Sequence, residues 1–241
     1  GGLLLLASML HPRSHLRLVA AELVPRGDVV RRILRIGLPA AGDGAILWSG
    51  HFLFLKIVGW MGEVPLATHM IGIRVEAITY LPAVAWGAAA ATMVGQSLGN
   101  RDPDRARRAG HEAVRQCSLL GIVITLVFCL APGAIFGEMH TDPAVVDMGA
   151  RAFPIVALLQ IPLMIGIIYA ASLRGAGDTR FPLLMTAVST YGVRLPVAWL
   201  LGIHFELGLL GAWIAMSCDM GLRAVLAALR FTGGRWSRTE V

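Results

Sequence analysis

Six long apolar stretches dominate this sequence of 241 residues and limit what it can fold into. A helix needs about 20 mostly apolar residues to cross the hydrocarbon core of a bilayer. The stretches lie at about 36–60, 66–98, 113–131, 150–172, 182–202 and 207–229. We therefore predict an all-α polytopic membrane protein, built as a bundle of six transmembrane helices.

The composition argues against a soluble fold. Charged residues make up 15% of the chain and hydrophobic residues 56%, whereas a soluble domain carries about 25% charged residues. A soluble helical protein with a very apolar core would show charged outer faces on its helices. The stretches 113–131 and 182–202 show almost none, so we expect the lipid bilayer to surround this chain.

The remaining sequence divides around these stretches. We interpret the chain as a single membrane domain, in which residues 36–229 hold the six spans. Residues 1–10 are apolar but too short to span, and no basic segment precedes them as in a signal peptide. We expect them to be the tail of a preceding helix, so that the sequence begins inside a longer protein. Residues 11–35 are predicted to form a basic cytoplasmic linker, and residues 230–241 a cytoplasmic tail.

Arginine placement predicts the orientation. Sixteen arginines lie before the first stretch, after the second, after the fourth and after the sixth, whereas the alternate loops at about 61–65, 132–149 and 203–206 contain no arginine or lysine. Such an asymmetry is typical of positive-inside topology. We predict a multi-pass protein of the plasma or inner membrane with both ends in the cytoplasm. Because the arginines lie between apolar runs, nucleic acid is not an expected partner despite the net charge of +6.

Two polar junctions carry the most specific motifs. The first is Val94–Ala106 (VGQSLGNRDPDRA), with Gly95, Gln96 and Gly99, and the second is Leu173–Pro182 (LRGAGDTRFP), with Arg174, Gly175, Gly177 and Asp178. The spacing of Gly95 and Gly99 favours close approach of another helix, and Asp102-Pro103 is a helix-start signal. Glycines in the second motif suit a tight turn, and Asp178 or Thr179 can cap the next helix. The junctions are either plain connectors or hinges, and the sequence leaves both interpretations open.

These junctions resemble the cytoplasmic loops of the multidrug and toxic compound extrusion (MATE) family. The segments Gly37–Ala41 (GLPAA) and Ala67–Glu76 (ATHMIGIRVE) resemble the first two helices of its C-terminal lobe, with Met70 where a glutamine is common. Leu229–Trp236 is similar to the end of the family's last helix. The resemblance extends over nearly the whole chain from about residue 30.

Membership of this family would imply a twelve-helix antiporter made of two six-helix lobes. Such an antiporter exports organic cations and other amphipathic compounds in exchange for H+ or Na+. The resemblance implies that this chain is the C-terminal half and that an N-terminal six-helix lobe is its partner. In many members an acidic coupling site lies in that N-terminal lobe, so the resemblance by itself does not imply transport by this chain alone.

Ionisable residues within the apolar stretches are costly and call for a partner, water or a function. Asp219 and Arg223 are four residues apart, so we predict a structural pair on one helix face. Arg74 and Glu76 are two apart and point in nearly opposite directions. His69, like other lone intramembrane histidines, is interpreted as a hydrogen-bonded structural residue or as a titrating group.

Four residues are candidates for substrate or ion coupling, namely Glu76, Asp43, Tyr80 and Arg194. Glu76 is expected near the middle of its span, with Tyr80 one turn further on as a possible hydrogen-bond donor. Glu76 is either an exchange site for protons and cations or a structural residue paired with Arg194 or another base. Asp43 is either interfacial or, by the resemblance, at a position that is often acidic in the C-terminal lobe.

The sequence argues against an enzyme and leaves two alternatives to an antiporter. The chain lacks HExxH and Walker motifs and any Cys/His cluster, so we expect no enzyme activity, no metal site and no cofactor beyond the coupling ion. One alternative is a flippase for lipid-linked saccharides of the same superfamily, although few charges lie in the spans. Another is a membrane scaffold or half-gene product without transport activity.

Overall fold

A computed structural model of the chain describes residues 27–234 and residue 236, apart from a few side chains near the start of the first helix. The described part holds nine α-helices and no strand. They are α1 (Gly27–Gly59), α2 (Glu63–Gly99), α3 (Pro103–Leu130), α4 (Pro132–Met139), α5 (Pro143–Ala157), α6 (Gln160–Gly175), α7 (Arg180–Ser189), α8 (Leu195–Trp199) and α9 (Gly208–Thr232). This confirms the predicted all-α membrane fold.

The chain divides into two compact units, residues 1–39 and residues 40–241. Residues 27–39 are the described part of the first unit and form the start of α1. Helix α1 therefore begins inside the segment predicted as a linker at 11–35. The described residues do not include the predicted helix tail at 1–10, the first part of that linker, or half of the predicted tail at 230–241.

Each of the six predicted spans falls in helical structure. Among the described residues, four helical segments are long and apolar enough to cross a membrane: α2, α3, α9 and the continuous segment 180–204. Helices α5 and α6 make a fifth crossing when taken as one bent span, and 44–59 is a shorter apolar helical stretch. The segment 180–204 consists of α7 and α8 with two π-helical turns, Thr190–Arg194 and Leu200–His204.

The predicted fourth span, 150–172, is broken rather than continuous. Helices α5 and α6 meet at Leu158 and Leu159 and are bent by 48°. Pro162 lacks the N–H that would bond to the Leu158 carbonyl, and its ring would clash with that carbonyl in a regular helix. Proline thus accounts for a break at this position in the span.

The loop predicted at 132–149 is mostly helical, so that prediction is wrong. Helix α4 occupies its first half and α5 begins at Pro143. Both helices have proline in their first turn, where its fixed φ and missing N–H suit a helix start. The Asp142 carboxylate also accepts a hydrogen bond from the Ala144 N–H at 2.9 Å, which caps α5.

Small residues allow α2 and α6 to cross closely. A Cβ at Gly95 would lie 3.1 Å from the Gly175 carbonyl oxygen, and one at Gly175 would lie 2.6 Å from the Ala91 Cα and overlap the Ala91 carbonyl. One turn earlier on α2, Gly87 packs against Ala171 in the same way. The two polar junction motifs therefore meet at this crossing. Among the described residues, a Cβ at Gly99 would meet nothing within 4 Å, so the close helix approach predicted for Gly95 and Gly99 is present at Gly95 and not at Gly99.

Candidate functional site

The second junction motif is fixed to the last helix by an ion pair. The Arg230 Nε donates to Asp178 Oδ2 at 2.9 Å, and the Phe181 N–H donates to Asp178 Oδ1 at 3.4 Å. The sequence predicted either Asp178 or Thr179 as the cap of α7, and the cap is Asp178. Gly177 has a φ of 86°, the left-handed conformation predicted for this turn. Arg174 lies in the last turn of α6.

The first junction motif ends α2 and starts α3. The Gln96 carbonyl accepts a hydrogen bond from the Asn100 N–H at 3.0 Å, while the Gln96 side chain is exposed. Asp102 Oδ1 accepts a hydrogen bond from the Arg105 N–H at 2.8 Å. The predicted helix start at Asp102-Pro103 is confirmed.

A buried charge cluster joins α9 to the helical segment 180–204. Asp219 is fully buried, and its carboxylate binds two arginines: Arg223 Nε at 2.8 Å and Arg194 Nη2 at 2.6 Å. Arg223 also donates to Thr190 Oγ1 at 2.6 Å. The predicted pair of Asp219 and Arg223 is confirmed, whereas the second arginine was not predicted as its partner.

The π-helical turn explains how Arg194 reaches Asp219. Across Thr190–Arg194 the backbone is wider than an α-helix, and the Leu195 N–H bonds to the Thr190 carbonyl five residues earlier. This turn comes directly before Pro196, which cannot donate a backbone hydrogen bond. Single π-turns of this kind are frequent at functional sites. Gly50 on α1 lets Thr190 approach closely, since a Cβ there would overlap Thr190 Cγ2.

Glu76 lines a narrow cavity between α2, α5 and α9 that has no room for a water molecule. The cavity is lined by His69, Gly72, Ile73, Glu76, Phe153, Val156, Trp213 and Met216. Glu76 Oε1 is buried and has no hydrogen-bond partner among the described residues. Tyr80 is 48% exposed, and no hydrogen bond between it and Glu76 is present in the described residues. Arg194 forms an ion pair with Asp219. Arg194 also interacts electrostatically with Glu76, at longer range and without an ion pair.

His69 is fixed in the wall of the same cavity. The Trp213 indole N–H donates to His69 Nδ1 at 3.0 Å, which agrees with the structural interpretation of this histidine. Because an indole nitrogen can only donate, His69 Nδ1 must accept and Nε2 must carry the proton of the neutral ring. His69 Nε2 has no partner among the described residues. This contact between His69 and Trp213 could not be predicted from the sequence, because the two residues are 144 positions apart in the chain.

The arrangement places two arginines and two acids in neighbouring positions. Arg194 and Arg223 balance Asp219 and Glu76 when all four are ionised, so a cation that reaches Glu76 would replace a proton without changing the net charge of the cluster. Asp43 lies in α1, but its side chain is outside the described residues. In the part of the chain that the structure describes, no group of three or more His, Cys, Asp or Glu side chains is arranged to hold a metal.

The long apolar helices, the small-residue crossing and the buried charge cluster define a multi-pass α-helical membrane protein. Comparison with known families gives a match to the MatE family over residues 39–200. The chain belongs to the MatE family.

Individual relatives support this assignment. The chain is 29% identical over 237 residues to a probable multidrug resistance protein NorM of Thermotoga maritima, covering 98% of this chain and 51% of that protein. It is 31% identical to the multidrug resistance protein NorM of Burkholderia vietnamiensis, covering 92% of this chain and 49% of the relative. The chain therefore spans about half the length of these curated relatives.

Solved structures share the fold. A crystal structure of MATE in the bent conformation aligns with a TM-score of 0.84 and 18% identity, over 98% of this chain and 54% of that one. An outward-facing MATE family transporter of the MOP superfamily aligns with a TM-score of 0.74 over 82% of this chain and 44% of its own. The half coverage agrees with one lobe of a two-lobe fold.

Proposed function

We propose that this chain forms the C-terminal lobe of a secondary antiporter that exports organic cations or amphipathic compounds in exchange for H+ or Na+. Its partner is an N-terminal six-helix lobe, and its location is the plasma or inner membrane with both ends cytoplasmic. Transporters bind substrate between their repeats, so one lobe supplies one wall of the binding cavity. The names of the multidrug resistance relatives support this class of substrate.

Within this lobe, Glu76 is the proposed exchange site. The observation that carries this proposal is its buried carboxylate oxygen, which lies at a cavity and has no hydrogen-bond partner in the described residues. A structural glutamate would be expected to hold a donor, because an unpaired buried acceptor costs about 1–3 kcal/mol. A group that exchanges protons and cations must instead be free to bind each of them in turn.

The test is a Glu76→Gln substitution in the full native gene product that contains this chain. We expect energy-dependent efflux of a cationic dye to fall about tenfold or more, corresponding to at least about 1.4 kcal/mol, and its pH dependence to flatten. Expression and folded yield should stay normal. Glu138→Gln is the matched control, since Glu138 is exposed near the end of α4. Normal efflux with an unchanged pH profile in the Glu76 variant would contradict the proposal.

A flippase for lipid-linked saccharides remains the alternative within the superfamily. A cavity for such anionic substrates would be lined by unpaired cations. Among the described residues, both arginines of the buried cluster are engaged by Asp219, which favours the cation antiporter.

A further inference from the structure

Two buried polar groups beside the charge cluster are complementary but do not meet. Arg194 Nε is a donor without a hydrogen-bond partner in the described part of the chain, and Glu76 Oε1 is an acceptor in the same situation. Their charges are opposite and each lies within the electrostatic reach of the other. Arg194 is instead held by Asp219 through Nη2.

We propose that Arg194 is a tethered counter-ion that moves between Asp219 and Glu76 and competes with the transported cation for Glu76. This inference rests on the proposed function, in which Glu76 is the exchange site. When Glu76 holds a proton or a cation, Arg194 pairs with Asp219, as in this structure. When Glu76 is ionised and empty, the guanidinium pairs with it. In the first state both guanidinium groups share the Asp219 carboxylate, and in the second each acid has its own arginine.

Asp219 can release Arg194 because a second arginine remains bound to it. Arg223 holds Asp219 Oδ1 at 2.8 Å, and Thr190 holds Arg223 at 2.6 Å. Asp219 therefore keeps an ion pair in both states. Of the two arginines, Arg223 has partners for both its Nε and an Nη atom, whereas Arg194 has an unpartnered Nε among the described residues.

An aromatic ring lies close to both Arg194 and the helix that carries Glu76. The Arg194 Cζ lies 5.8 Å from the centre of the Phe54 ring. The Phe54 ring lies 5.3 Å from the ring of His69, which is on the same helix as Glu76 and lines the same cavity. The face of an aromatic ring attracts a cation that has left its carboxylate. Phe54 therefore contacts both Arg194 and a residue of the cavity wall that contains Glu76.

Other polar groups interact with Arg194 or lie near Glu76. His51 faces Arg194 from α1, and His69 faces it from α2. His69 Nδ1 is occupied by Trp213, so its Nε2–H is a neutral donor that can approach Glu76 but cannot neutralise it. Arg74 lies two residues before Glu76 and is exposed. Arg194 is the base of the cluster whose charge can be shared with Glu76.

The test measures the affinity of the purified full native gene product for tetraphenylphosphonium at one alkaline pH. We expect Arg194→Gln to tighten binding roughly fivefold or more, the lower range of a typical coupling between sites, because the competing internal cation is gone. In the Glu76→Gln background the same change should have no effect. Arg74→Gln is the matched control, because it removes the same charge from an exposed position on the helix of Glu76, and it should leave affinity unchanged.

Two outcomes separate this inference from the proposed function. If Glu76→Gln alone leaves affinity unchanged, the proposed exchange site is wrong. If Glu76→Gln weakens binding but Arg194→Gln does not tighten it, only the counter-ion inference is overturned. Should Arg194→Gln not yield folded protein, Arg194→Lys replaces it in the same comparison. If Arg194→Lys changes the affinity when Glu76 is present but not in the Glu76→Gln background, the inference is supported. If the affinity changes equally in both backgrounds, or in neither, the inference is overturned.

Discussion

Among single residues, glycines of the two junction motifs have different roles in this fold. Gly175 lies where the backbones of α2 and α6 approach most closely, and its hydrogen atom occupies the space that a methyl group would need. Gly99 lies at the end of α2, where a Cβ would meet no other described residue within 4 Å. A sequence pattern of small residues identifies a possible contact surface but does not identify which of them carries the contact.

Gly175→Ala should therefore lower the stability of the protein by about 1–3 kcal/mol, the usual cost of overpacking. The added Cβ would overlap backbone atoms of Ala91, which cannot rotate away as a side chain can. Thermal unfolding in detergent, followed by size-exclusion fluorescence, measures the change. Gly99→Ala is the control and should be neutral or stabilise the helix by up to about 1 kcal/mol. Equal melting temperatures for the two variants would contradict this account of the crossing.

At the level of helices, caps and breaks depend on short sequence signals. Asp102 should contribute about 1 kcal/mol to the start of α3, because its carboxylate accepts the Arg105 N–H. We expect Asp102→Ala to speed hydrogen exchange in the first turn of α3 and leave the later turns unchanged. Asp104→Ala is the control: Asp104 also lies in that first turn, and the cap is made by Asp102. A similar loss of protection in both variants would mean that charge near the helix end, rather than the cap, stabilises this turn.

The helices and the local pairs could be predicted from the sequence. Apolar runs predict spans because lipid requires every backbone group to bond within the helix, and Asp219 and Arg223 are neighbours on one helix face. The sequence does not indicate which prolines interrupt a span. The fourth span is broken at Leu158, whereas α2 continues through Pro82, because neighbouring helices decide whether a proline interrupts a span. The contacts of Arg194 with Asp219 and of His69 with Trp213 join different helices, which no local pattern indicates.

For the whole molecule, the arginine asymmetry sets the orientation to be tested. In a cysteine-free background, a cysteine at Thr141 or His204 should react with a membrane-impermeant maleimide applied to intact cells. One at Asn100 or Arg180 should react only after permeabilisation. All four positions are exposed, so access depends on the side of the membrane rather than on burial. Labelling of Asn100 and Arg180 in intact cells would reverse the orientation.

The position of Asp219 on the last helix has a consequence for biogenesis. A chain is synthesised from its N-terminus, so Arg194 is made and enters the membrane before its partner Asp219 exists. During that interval the intramembrane acids already synthesised include Glu76, with which Arg194 interacts electrostatically in the finished structure. The charge cluster is complete only after α9 has been translated. A nascent chain stalled before Leu207 would thus hold Arg194 without Asp219, and Glu76 would be an intramembrane acid with which its charge can interact.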